Sequence, residues 1–77
     1  MADVLFDYSK LRGRIVEKFG TNTEFAAAMG WSNVTNSKKL TCVVMWTQDE
    51  IVKAADLLEL RPADIKDYFF TQKVKVN

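Results

Sequence analysis

The sequence predicts an all-α fold of four or five short helices, and three observations predict it. Tyr8, Leu11, Ile15 and Phe19 recur three or four residues apart, which places them on one helical stripe. Two Thr-x-x-Glu signatures, Thr21 with Glu24 and Thr47 with Glu50, have the spacing of capping boxes. Gly20 and Gly30 stand where two of the helices must stop. At 77 residues the chain is expected to form a single domain with a small core, about 7–70, and a tail over 71–77.

The elements follow in order. Asp7 can cap a helix running to about Lys18, ended by Gly20. Thr21 opens a second helix from about Asn22 to Met29, with Phe25 and Met29 as its inward ridge. Ala26, Ala27 and Ala28 keep that helix thin enough for a neighbour to approach closely. Gly30 is free to take positive φ, and Trp31 falls in the corner that follows. Ser32 is the next N-cap, for a helix to about Leu40. That helix is polar: Asn33, Thr35, Asn36 and Ser37 are poor helix formers whose side chains compete for backbone bonds, so it requires tertiary support. The apolar run CVVMW that follows is either a strand or an extended connection over the core. Thr47 opens a helix that buries Ile51, Ala54 or Ala55, and Leu58. Pro62 suits a first helical turn, and a last short helix runs to Phe69. The tail, with Val74 and Val76 between Lys73 and Lys75, is either a frayed end or an edge β-strand.

Composition excludes several function classes. Hydrophobic residues make up 48% of the chain and charged residues 27%, a globular balance. There is no histidine and one cysteine, Cys42, so metal ligation, an internal disulfide and thiol catalysis with a neighbouring base are not expected. Carboxylate-pair chemistry requires a cleft that so small a chain cannot enclose. No cofactor or small-molecule substrate is expected, and the chain reads as a non-enzyme. With no signal peptide and no membrane-length apolar run, a soluble cytoplasmic protein is expected.

Net charge is +1, but the charge is unevenly spread. Lys10, Arg12, Arg14 and Lys18 stand against Glu17 alone. No acid occurs from Phe25 to Gln48. Six acids lie between Asp49 and Asp67. This is either a basic side and an acidic side, or ordinary solvated helix faces.

The segment TNTEFAAAMGWSNVTNSKK has the pattern of a helix–turn–helix. A bracing helix with small residues supports a second helix whose polar face suits a major groove. Asn33 and Asn36 can address adenine edges. Thr35, Ser37 and Lys38 can reach bases or phosphates.

From Leu11 to Phe70 the chain resembles the small phage Cro-like repressors of the lambda-repressor type superfamily. The resemblance rests on LRGRIVEKFGTNTEFAAAMGWS and WTQDEIVKAADLLELRPADIKDYFF. It implies a transcriptional repressor that reads double-stranded operator DNA as a homodimer. Base-reading candidates are then Asn33, Val34, Thr35, Asn36, Ser37 and Lys38. Phosphate-contact candidates are Lys10, Arg14, Thr21, Asn22, Thr23, Ser32 and Lys39. Phe70, Val74 and Val76 are candidates for the dimer contact. Two positions depart from the family pattern. Asn36 stands where an aliphatic residue usually faces the core, so it either turns outward in a shifted register or is buried at a cost. Cys42 stands where glycine is usual, at a place that requires positive φ. Both departures suit a rival reading: a protein-interaction module on the same fold that no longer binds DNA and meets a partner through CVVMW and the aromatic C-terminus.

Overall fold

A computed structural model describes residues 6–72 of the chain. It is all-α, with five helices: α1 (Ser9–Phe19), α2 (Asn22–Met29), α3 (Asn33–Leu40), α4 (Gln48–Leu57) and α5 (Ile65–Phe69). A 3₁₀ turn over Pro62–Asp64 leads into α5. The predicted stripe of α1 faces inward: Tyr8, Leu11 and Ile15 are buried, and Phe19 packs against them. Phe25 and Met29 of α2, Leu40 of α3, Ala54 and Leu58 of the α4 region, and Phe69 complete the core.

The helix boundaries have local causes. Thr21 is an extended N-cap whose hydroxyl accepts from the Glu24 amide at 3.2 Å. Only this half of the expected capping box forms there. At Thr47 both halves form: the Glu50 amide donates to Thr47 Oγ1, and the Thr47 amide donates to Glu50 Oε1. Gly30 ends α2 at φ 84°, in the left-handed region, and its amide donates to the Ala26 and Ala27 carbonyls. A side chain there would be strained whatever space surrounded it. Of the three alanines, Ala26 is buried, whereas Ala27 faces solvent.

The CVVMW run forms neither a strand nor part of a helix; it is an irregular loop joining α3 to α4. No strand occurs among the described residues. The two ends of the described chain meet in an isolated antiparallel bridge between Phe6 and Gln72, where the Asp7 amide donates to the Thr71 carbonyl at 2.7 Å. Thr71 and Gln72 therefore lie against the N-terminal segment. Val74 and Val76, expected in a dimer contact or an edge strand, lie outside the described residues.

Candidate protein-interaction surface

The two helices of the helix–turn–helix segment are present. A three-residue turn (Gly30, Trp31, Ser32) separates α2 from α3, and Ser32 caps α3 by accepting from the Thr35 amide at 3.1 Å. The side chains on α3 divide differently from the expectation. Asn36 is 2% exposed, and its Oδ1 accepts from Trp31 Nε1 at 3.1 Å. Asn36 is thus the buried alternative, with its carbonyl satisfied; it is not placed to touch a base. Lys39 is 5% exposed. Its ammonium donates to Glu50 Oε1 at 2.6 Å and to the Met45 carbonyl at 2.9 Å, and it lies over the Trp31 ring. Lys39 is therefore a strut between α3 and α4, not a phosphate contact.

Most of the other basic candidates are also engaged. Arg14 donates from Nε to the Leu58 carbonyl and pairs with Glu17. Arg12 donates to the Leu40 carbonyl, and Lys10 lies near Asp67 and over the Tyr68 ring. Thr21 and Ser32 are occupied as helix caps. Asn22, Thr23, Asn33 and Ser37 are exposed and line a shallow polar groove with Arg12 and Thr41. Thr35 is half-buried, and Lys38 is exposed.

Beside these polar groups, α3 and the loop after it present several apolar side chains to solvent. Val34 is 64% exposed, Val43 69% and Met45 47%, with Val44 also exposed. Val34 and Lys38 share a helix face at spacing four. The Val43 and Val44 amides both donate to the Lys38 carbonyl, at 2.9 and 3.1 Å, which folds the loop back over the end of α3.

That loop is fixed at every step. Cys42 exchanges hydrogen bonds with the Phe6 backbone: the Phe6 amide donates to Sγ and the thiol donates to the Phe6 carbonyl, each at 3.4 Å. The Met45 carbonyl accepts from Lys39, and Trp46 Nε1 donates to the Lys39 carbonyl. Trp46 packs edge-on against Trp31, Tyr8 and Phe69. Cys42 adopts φ 65°, the left-handed geometry expected at that position. Burial, then the neighbouring Cys42 thiol, pushes the Tyr8 phenol up to about 12. At Glu50, burial pushes the carboxyl up. The Lys39 ammonium and the Thr47 amide and hydroxyl outweigh it, and the carboxyl ends below its ordinary value. Beyond the loop, exposed Phe70 packs edge-on against Phe6.

The profile of a family described as "protein of unknown function (DUF739)" matches residues 4–72. The chain belongs to the DUF739 family. A solved structure similar to this DUF739 chain is the solution structure of the modulator of repression (MOR) of the temperate bacteriophage TP901-1 from Lactococcus lactis. The two are 54% identical, with a TM-score of 0.78, over 91% of this chain and 95% of that one. No curated protein matches the chain.

This kinship corrects the expectation of a Cro-like repressor. A protein sharing more than half its residues over nearly the full length is a modulator of repression, not an operator-reading repressor. The expected double-stranded DNA partner and the repressor role fall with it. The geometry gives the physical reason. A groove-reading helix presents hydrogen-bonding groups and cations; here two of the expected contacts, Asn36 and Lys39, turn inward, and Val34 faces out beside Asn33, Ser37 and Lys38. The DUF739 chain is not an enzyme: its relative is a regulatory protein. Among the described residues no group of three or more His, Cys, Asp and Glu side chains could hold a metal ion. No helix among them is long and apolar enough to cross a membrane.

Sequence reasoning reaches the same segment, since CVVMW is the contact surface of the rival reading. It misses Val34 as part of that surface, treating it as a groove residue. The available signal is an apolar side chain four residues before Lys38, on a helix with no second apolar residue to hold it inward before Leu40.

Proposed function

We propose that this chain is a protein-interaction module of a temperate phage that modulates repression by binding the phage's repressor protein. The observation that carries this reading is the loop Cys42–Trp46. Its backbone is held by hydrogen bonds to the Lys38 carbonyl and the Lys39 ammonium, and its Cys42 side chain bonds the Phe6 backbone, yet its apolar side chains Val43, Val44 and Met45 face solvent, as does Val34 on α3. Apolar side chains displayed on a rigid support lose little entropy on docking, which is the preorganisation that favours a protein partner. The relative's description as a modulator of repression supplies the partner class.

Calorimetric titration of the repressor encoded by the same phage with the wild-type chain tests it, and saturable binding is expected. Val44→Asp places a charge in the centre of the patch, so it is expected to weaken binding by at least about tenfold while leaving the fold intact. Wild-type binding that Val44→Asp does not alter would place the contact elsewhere on the molecule.

A further inference from the structure

We infer that the partner surface docking on α3 and its loop is an apolar segment bearing a carboxylate opposite Lys38. This rests on the protein-interaction reading and adds the chemistry of the partner to it. Among the described residues, Lys38 and Lys66 are the cations whose ammonium makes neither an ion pair nor a hydrogen bond. Lys66 lies between Asp64 and Asp67 in sequence. Lys38 has no acid on its own helix, and none occurs from Phe25 to Gln48.

Lys38 is also exposed on the stretch that carries the apolar side chains. Val34 precedes it by one helical turn, and the loop carrying Val43 and Val44 is bonded to its own carbonyl. A partner that covers these valines must cover the Lys38 ammonium too. Sealing an ammonium under apolar contact with no counter-charge is strongly unfavourable. The occupant therefore supplies a carboxylate at that point, with apolar side chains on either side. A second copy of this chain is a poor occupant, because the corresponding surface of a second copy would bring another Lys38 and no acid.

The test is calorimetric titration of the same phage's repressor at low and high salt, with wild type, Lys38→Met and Lys38→Glu. Lys38 is exposed, so both variants fold, which thermal melts verify. The pairing predicts that Lys38→Glu weakens binding by at least about thirtyfold through like-charge apposition. Lys38→Met leaves the partner's carboxylate covered without a counter-charge, so it is expected to weaken binding by at least about tenfold and to lose most of the salt sensitivity. Lys38→Glu binding as tightly as wild type would overturn the carboxylate while leaving the repressor as partner. Absence of wild-type binding would overturn the partner and the carboxylate together. Self-association of the chain through this face, seen by sedimentation and abolished by Lys38→Glu, would overturn the heterologous occupant.

Discussion

At the residue scale, inward-turned polar side chains decide what the surface can do. Asn36 is an acceptor for the Trp31 indole, and Lys39 is a strut to Glu50 and Met45. Neither role was legible in the sequence, because each depends on how a turn folds: the one before α3 brings Trp31 to Asn36, and the loop after it brings Met45 and Glu50 to Lys39. Cys42 was legible only through the resemblance: the family usually has glycine at its place, which implied positive φ, and it has φ 65°. Glu59 takes φ 56° just past α4 without any comparable sequence signal. At Cys42 the strain sets a testable asymmetry. Cys42→Ser keeps the side-chain shape and is expected to stay close to wild type. Cys42→Val puts a branched β-carbon in the left-handed region and is expected to cost about 2 kcal/mol in chemical denaturation. Equal stability of the two would show that the backbone relaxes there.

Glu50 makes a second prediction at this scale. Its folded-state carboxyl lies below the ordinary glutamate value of 4.5. A depressed carboxylate contributes stability that is fully present above the unfolded value and is lost as pH falls through the folded one. Wild-type stability should therefore decline below pH 4.5, the ordinary value, and Glu50→Gln should flatten part of that decline. Identical acid profiles for the two proteins would remove Glu50 from the account.

At the element scale, the sequence carried the helix starts and stops well. The stripe of α1, the threonine caps of α2 and α4 and the glycine after α2 are local signals, and local chemistry determines them. The link between α3 and α4 was ambiguous because a short apolar run has no period to distinguish strand from loop. Side-chain bonds from Lys39 and Trp46, and from Cys42 to Phe6 far away in the chain, settle its path. The two Thr-x-x-Glu signatures also proved unequal. Thr47 satisfies a reciprocal box whose glutamate also holds Lys39, whereas the Thr21 cap is one-sided. Thr47→Ala should cost about 1–2 kcal/mol and Thr21→Ala about 1 kcal/mol or less, as read from melting curves. A larger loss at Thr21 would contradict this ranking.

At the scale of the whole molecule, an architecture resembling a DNA reader carries a surface suited to protein. The resemblance to Cro-like repressors captured the helical framework and misassigned its use, since a fold does not fix a function. What separates the uses is the outer face of α3 and its loop. There Val34, Val43, Val44, Met45 and Lys38 are exposed, while Arg12 and Arg14 of α1 donate to backbone carbonyls. Such a surface lacks the array of free cations from which duplex affinity comes. The most direct measurement is a mobility-shift titration of the phage's operator with its repressor, with and without this chain, alongside the chain alone. The expected result is that the chain alone leaves the operator unshifted, and that adding it changes the repressor's affinity for the operator in a way that Val44→Asp abolishes. A tight, salt-sensitive shift by the chain alone, or a repressor–operator affinity indifferent to its presence, would contradict it.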